Sequence, residues 1–75
     1  MSKGYEQLLE IVARNTRELR ESRGLSQEAL AFDADVDRTY VSQIERAVAN
    51  PSLRVLWQIA STLGVSISDL CREDD

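Results

Sequence analysis

The feature that most constrains the fold of this chain is a pair of short helical segments within residues 25–46, LSQEALAFDADVDRTYVSQIER. Ser26 can cap the N-terminus of the first segment, QEALAFDA, and Asp37 can cap the segment that follows it. A break of a few residues around positions 35–36 separates them. The stretch therefore predicts two helices joined by a tight turn, the second of which has an apolar side.

The rest of the chain also has helical periodicity, and no alternating strand pattern lasts. A first helix of about five turns should start near Tyr5 and end at Gly24, because a glycine suits a left-handed cap. Ser52 can cap a fourth helix that ends at Gly64. The expected apolar face of this fourth helix consists of Leu53, Leu56, Trp57, Ala60 and Leu63.

A last short helix should start at Ser66 or Ser68 and carry Ile67 and Leu70. With this element the sequence predicts an all-α fold, a compact bundle of five helices. Residues 1–75 form one domain, because a chain of this length has no room for a second core.

Composition excludes several classes of function. The chain has one cysteine, Cys71, and no histidine, so an intrachain disulfide is impossible and a zinc site lacks ligands. No base can activate the thiol and no two carboxylates form a catalytic motif, so we expect neither an enzyme nor a cofactor or metal. No apolar run approaches the ~18 residues of a membrane span. A lone free thiol fits a reducing compartment, and we expect a cytoplasmic protein without a membrane partner.

The third helix divides into two sides on a helical wheel. Tyr40, Val41 and Ile44 form the side that must be buried, and Glu45 lies at its border. The opposite side contains no carboxylate and consists of Arg38, Thr39, Ser42, Gln43 and Arg46. Such side chains suit hydrogen bonds to base edges, although a solvated polar face would have the same composition.

The preceding helix favours the first interpretation. A short helix, a tight turn and a second helix form the helix-turn-helix arrangement, in which the second helix enters the major groove with its N-terminal residues leading. Here Arg38 and Thr39 occupy that leading end.

Three stretches that follow one another, RGLSQEALA, VDRTYVSQIER and NPSLRVLWQIASTLGVS, resemble the Cro and phage-repressor (XRE) type of helix-turn-helix domain, a large family of bacterial regulators. The resemblance covers about Thr16 to Leu70 and implies a lambda-repressor-like DNA-binding fold with the helix-turn-helix at about residues 26–46. The small size and the DRTYVSxIER form are most similar to controller proteins of restriction–modification systems.

The resemblance implies a role for each matching position. The base-reading residues would be Arg38, Thr39, Ser42 and Gln43. The residues that contact DNA phosphates would be Gln27, Tyr40, Arg46 and Asn50. A structural salt bridge between Arg20 and Glu45 would join the first and third helices from inside. Three further arginines of the first helix, interleaved with glutamates, are interpreted as solvated surface: Arg14, Arg17 and Arg23.

Three positions depart from the family pattern. Thr16 replaces an apolar core residue, and Asp35 and Ala47 stand where glycine is usual. Aspartate tolerates left-handed backbone geometry fairly well, whereas alanine does so at a cost of roughly 1 kcal/mol.

The net charge of −4 argues only weakly against DNA as a partner, since Glu73, Asp74 and Asp75 alone carry −3 of it. An acidic remainder lowers non-specific affinity and raises dependence on specific contacts.

One unit reads about four or five base pairs, too few for tight specific binding, and a two-fold dimer on a palindrome overcomes this limit. We place the dimer interface in residues 52–72, at Val55, Ile59, Ile67 and Leu70. The alternative is that these residues fill the core of one monomer. Trp57 belongs either to the core or its edge, which is the favoured assignment, or to the interface.

The expected function is therefore a homodimeric, sequence-specific transcription regulator of double-stranded DNA with a palindromic operator and no small-molecule effector. By resemblance, a controller protein would activate its own operon at low occupancy and repress it at high occupancy. The alternatives are another small phage- or antitoxin-type repressor, and a helix-turn-helix scaffold used as a protein-interaction module.

Overall fold

The computed structural model describes residues 2–73, with side chains from residue 4 onward. Within these residues the chain folds into helices and contains no strand, as the sequence predicted. The elements are α1 (Ser2–Ser22), α2 (Gln27–Ala34), α3 (Arg38–Glu45), α4 (Leu53–Leu63) and α5 (Ile67–Leu70). α1 begins three residues before the predicted start at Tyr5.

Four helices begin at side-chain caps that the sequence predicted. In each, the capping oxygen accepts a hydrogen bond from a backbone N–H in the first turn, as is usual for serine and aspartate. The capping residues of α2, α3, α4 and α5 are Ser26, Asp37, Ser52 and Ser66. The start of α5 is therefore Ser66, whose cap is closed by a reciprocal bond from its N–H to Asp69.

Two of the three departures from the family pattern lie where the backbone is left-handed. Asp35 ends α2 with a φ of 60°, and Ala47, just after α3, has a φ of 61°. A Cβ atom is strained in this conformation, which explains why glycine suits both positions. The fold accepts this strain in the turn before α3 and again just after α3.

The core lies between the helices, where α3 packs on α1 and α2, α5 packs on α1 and α4, and α2 packs on α4. Its fully buried large side chains are Leu30, Val41, Ile59, Leu63 and Leu70. Val41 and Ile44 are buried and Tyr40 is half-buried, so the apolar side of α3 faces inward as the wheel predicted.

α4 is rotated relative to the sequence prediction. Leu53 and Trp57, assigned to its apolar face, are 72% and 58% exposed, whereas Ile59 is fully buried. Leu56 and Val55 are half-buried and pack against the core. This segment contains two overlapping sets of apolar residues at helical spacing, and the periodicity alone does not show which set is buried. The assignment of Trp57 to the core is wrong.

Residues of α1 and of the turn after it cap the C-termini of three other helices. Arg17 Nη2 donates to the carbonyl of Glu45, the last residue of α3, at 3.0 Å. Arg23 Nε donates to the carbonyl of Leu63 in α4 at 2.7 Å. Asn15 Nδ2 donates to the carbonyl of Leu70 in α5 at 2.9 Å.

These carbonyls have no partner within their own helices, and cations near them also oppose the negative end of each helix dipole. Arg17 and Arg23 are exposed, in line with their interpretation as solvated surface, and each has a structural contact that the sequence did not indicate. Each holds a helix end with its guanidinium.

None of the helices within residues 2–73 is both long enough and apolar enough to cross a membrane.

Thr16 is the weak point of the core, and its replacement tests the packing. Its side chain is fully buried, and its hydroxyl has no hydrogen-bond partner. Because an unpaired buried hydroxyl is destabilising, Thr16→Val should raise the free energy of unfolding by about 1 kcal/mol. The melting temperature should rise by roughly 4–8 °C, measured by far-UV circular dichroism.

Thr62→Val is the matched control, since the Thr62 hydroxyl donates to the carbonyl of Gln58 at 3.0 Å. This second substitution removes a formed hydrogen bond and should not stabilise the protein. A Thr16→Val protein that melts below the wild type would contradict the account.

Candidate nucleic-acid interface

The leading end of α3 presents two polar side chains to solvent. Arg38 and Thr39 are exposed, and the Asp37 carboxylate accepts a hydrogen bond from the Thr39 N–H at 2.8 Å. This cap fixes the first turn of α3, so the two side chains project from a defined backbone. Ser42 and Gln43, one turn further on, are half-buried.

A cleft of about 170 Å³ lies between the N-termini of α2 and α3. Gln27, Arg38, Thr39 and Ser42 line it. Four of the residues implied by the resemblance are therefore brought together, three base-reading candidates and one phosphate candidate. Gln43, Arg46, Tyr40 and Asn50 lie outside this cleft.

Beneath this surface lies the buried carboxylate of Glu45, whose side chain is 1% exposed. Arg20 Nε donates to Glu45 Oε2 at 2.7 Å, and Arg20 Nη2 donates to Oε1 at 2.9 Å. This two-pronged pair between α1 and α3 is the salt bridge that the resemblance implied. Arg20 also donates from Nη1 to the Leu25 carbonyl at 2.8 Å, so the same guanidinium fixes the entry to α2.

Two more side chains converge on Glu45. Gln27 Nε2 donates to Oε1 at 3.0 Å, and Arg17 Nε lies 3.7 Å from the same oxygen. The Gln27 amide therefore bridges α2 to α3 in addition to lining the cleft. The resemblance implied a phosphate contact for Gln27, and no local pattern in the sequence indicated this bond to Glu45.

The balance of forces on Glu45 favours its charged form. Burial alone would raise the pKa of the carboxyl. The hydrogen bonds from Arg20 and Gln27, with the charges of Arg20 and Arg17, outweigh burial and hold the pKa below its usual value. In return, the bond to Glu45 raises the pKa of Arg20.

This burial decides the charge of the outer face of α3. Glu45 is the one carboxylate among residues 38–45, and it is turned inward and paired. Exposed carboxylates of the neighbouring elements, Glu28 and Asp33, lie on α2. The outer face of α3 and its end at Arg46 are left with cations and neutral hydrogen-bonding groups.

The segment after α3 carries the remaining phosphate candidates. Arg46 is exposed at the end of the helix, and Asn50 is exposed four residues later. Tyr40 donates its hydroxyl to the Asn50 carbonyl at 3.4 Å, and Tyr5 donates its hydroxyl to Asn50 Oδ1 at 2.6 Å. Tyr5 was missed by sequence analysis, because a contact across 45 residues leaves no local pattern.

The predicted dimer-interface residues do not form an exposed surface. Ile59 and Leu70 are fully buried within one protomer, and Val55 and Ile67 are half-buried against the core. Ile59 and Leu70 are therefore core residues, and their assignment to an interface is wrong. The exposed apolar side chains of α4 are instead Leu53 and Trp57.

The site has the chemistry of recognition by hydrogen bonds and charge. Guanidinium, hydroxyl and amide groups can meet base edges and phosphates, and none of them is a nucleophile paired with a base. Among the described residues, no group of three histidine, cysteine, aspartate or glutamate side chains could hold a metal ion.

Comparisons with known proteins agree with one another. A family model described as Helix-turn-helix matches residues 17–70. Control protein C.BamHI of Bacillus amyloliquefaciens is 43% identical over 61 residues, which are 80% of this chain and 75% of that protein. The crystal structure of the restriction-modification controller protein C.AhdI from Aeromonas hydrophila has a TM-score of 0.80 and 40% identity, with 83% of this chain and 94% of that chain covered.

A longer relative matches only in part. The HTH-type transcriptional regulator DdrOP3 of Deinococcus deserti is 44% identical over 54 residues, which are 72% of this chain and 42% of that regulator. This chain therefore spans less than half the length of that relative.

The buried pair should make stability depend on pH in a defined direction. Because the folded-state pKa of Glu45 lies below the ordinary value of 4.5, its ionised form contributes stability that is fully present above pH 4.5. This contribution is lost as the pH falls through the folded-state pKa. Glu45→Gln should cost roughly 3 kcal/mol at pH 7, since it removes the buried carboxylate that pairs with Arg20. The difference from wild type should shrink steadily below pH 4.5.

Urea denaturation between pH 7 and pH 3 measures this difference, with Glu18→Gln as the control for an exposed carboxylate of α1. A difference between Glu45→Gln and wild type that stays constant down to pH 3 would show that folding does not lower the pKa of Glu45.

Proposed function

Because this chain belongs to the helix-turn-helix family of DNA-binding regulators, we propose that it binds a palindromic operator as a homodimer and reads the bases with α3. The family assignment confirms the resemblance drawn from the sequence motifs, and with it a transcription regulator rather than an enzyme. The observation that carries the proposal is the outer face of α3, which exposes Arg38 and Thr39 and buries its one carboxylate.

In this proposal α3 enters the major groove with its capped N-terminus leading. Arg38 pairs with guanine through two hydrogen bonds, and Gln43 suits adenine. Thr39 and Ser42 meet base acceptors or a thymine methyl group. Ser42 and Gln43 are half-buried, so in this proposal they project less far toward the bases than the exposed Arg38.

Four residues would grip the phosphates on either side of the groove. Gln27 and the free N–H groups at the start of α2 contact one phosphate, because a helix N-terminus favours an anion. Tyr40, Arg46 and Asn50 contact the backbone at the opposite end of α3. Such contacts fix the register of α3 in the groove.

The second protomer would pack on the exposed apolar residues of α4. Leu53 and Trp57 are one turn apart, so they form a continuous patch on the helix surface. Burial of this patch against its own copy removes apolar area from water and sets the spacing of the two reading helices. Leu53 and Trp57 replace Ile59 and Leu70 as the proposed interface residues.

The resemblance to control proteins favours a particular biological role. We propose that this protein is a cytoplasmic, autoregulatory controller of a restriction–modification operon. Occupancy would follow protein concentration and dimerisation, without a small-molecule effector. The first occupied sites would activate the operon, and further occupancy would block the promoter.

One observation supports an additional role in protein binding. Phe32 on α2 is 85% exposed, and the carboxylates of Glu28 and Asp33 lie exposed on the same helix. The acidic side chains on the same helix as the Phe32 ring repel DNA, so this surface of α2 suits a protein partner.

Fluorescence anisotropy against the DNA upstream of the gene and a shuffled copy, at two salt concentrations, tests the proposal. A preference of about a thousandfold or more for the upstream DNA, with saturation at two protomers per site, supports it. Equal weak binding that disappears with salt would contradict it.

Arg38→Ala should remove base recognition without affecting the fold. The loss of a guanine contact costs about 1–3 kcal/mol, or roughly five- to 150-fold in affinity. The melting curve should be unchanged because Arg38 is exposed. Arg72→Ala, at an exposed residue after α5, removes the same charge and should retain binding within about twofold. Equal losses of DNA affinity in both variants would show that Arg38 contributes only its positive charge and does not read a base.

Leu53→Glu should convert the dimer to a monomer, because a charge in an apolar interface is costly. Sedimentation velocity over a micromolar concentration series measures the change. The emission of Trp57, the single tryptophan, should shift to longer wavelength as its ring becomes solvated. Phe32→Glu adds the same charge to an exposed apolar position of α2 and should leave the mass unchanged. A wild-type protein that stays monomeric, alone and on DNA, would refute the dimer.

A further inference from the structure

We propose that Tyr5 is a positioning residue that orients the side chain of Asn50 toward a DNA phosphate. This inference rests on the proposed function, because it assumes that Asn50 faces DNA. It assigns a role in recognition to the first turns of α1, which lie outside the residues matched by the family model.

The Asn50 carboxamide is held by its oxygen. Tyr5 donates its hydroxyl proton to Asn50 Oδ1 at 2.6 Å, a short bond between side chains 45 residues apart. A carboxamide accepts at oxygen and donates at nitrogen. With the oxygen turned toward Tyr5, the Nδ2 amino group points the opposite way and keeps both of its protons for an acceptor.

The backbone of Asn50 is held by the second tyrosine. The Tyr40 hydroxyl donates to the Asn50 carbonyl at 3.4 Å. α1 and α3 therefore each contribute one tyrosine hydroxyl to the same residue. Asn50 is exposed, in a segment that follows the strained Ala47, and such a segment depends on outside contacts for its conformation.

Phosphate oxygens are acceptors only, so an asparagine can bind one only through Nδ2. A carboxamide that rotates freely spends part of its time with its oxygen toward the phosphate, and two acceptors repel each other. The hydrogen bond from Tyr5 excludes this rotamer before DNA binds. The gain comes from a pre-set orientation, since Tyr5 itself makes no contact with DNA in this proposal.

Tyr5→Phe tests the proposal because it deletes the hydroxyl and keeps the ring. The probe is the DNA duplex that the wild-type protein selects from a randomised pool. We expect Tyr5→Phe to bind that duplex about fivefold more weakly, which corresponds to about 1 kcal/mol. The Asn50→Ala variant should lose about tenfold, the size of a lost phosphate contact.

The double variant separates positioning from direct contact. If Tyr5 acts through Asn50, the double variant binds as weakly as Asn50→Ala alone and no weaker. If Tyr5 contacts the phosphate itself, the two losses multiply, and the proposal is overturned. In the free protein, ¹⁵N relaxation of the Asn50 side-chain amide should show greater mobility in Tyr5→Phe, which a merely stabilising bond elsewhere would not produce.

Ser22→Ala is the control for a lost hydroxyl on α1. The Ser22 hydroxyl donates to the Leu19 carbonyl at 2.9 Å at the far end of the helix, and its removal should leave DNA affinity unchanged. If Tyr5→Phe binds the duplex with full affinity, the role of Tyr5 is overturned and the proposed function is unaffected. Failure of the wild-type protein to select any duplex would overturn the proposed function, and the role of Tyr5 with it.

Discussion

The fold depends on one buried carboxylate. Glu45 lies at the end of α3, yet it receives hydrogen bonds from Arg20 of α1 and Gln27 of α2. A charge that is 1% exposed is tolerated only when its partners satisfy it, so the two helices on either side must stay in place. The orientation of α3 is therefore set from its buried side, by contacts that leave Arg38 and Thr39 exposed.

The same carboxylate reconciles an acidic protein with an anionic partner. The chain carries a net charge of −4, but Glu45 is withdrawn from the outer face of α3 and neutralised by Arg20. The remaining carboxylates of the helix-turn-helix lie on α2 and in the turn. Charge segregation of this kind favours the approach of DNA to α3 over its approach to the acidic surface of α2. Overall acidity therefore favours selectivity over affinity.

Local signals in the sequence were sufficient for the helices and their starts. Ser26, Asp37 and Ser52 cap helices because a cap is a matter of neighbouring residues. The rotation of α4 was not predictable in this way, because two apolar stripes overlap and only packing against α2 and α5 selects one. The contact between Tyr5 and Asn50 was also beyond the sequence, since it joins residues far apart. The candidate base-reading residues came from the family resemblance together with the wheel.

The caps that α1 and the turn after it supply to the other helices have a consequence for how the domain unfolds. Arg17, Arg23 and Asn15 hold carbonyls that follow 28, 40 and 55 residues later. Because these side chains hold the ends of three helices, loosening of α1 exposes the last carbonyls of α3, α4 and α5 together. The domain should therefore open as one cooperative unit and not helix by helix.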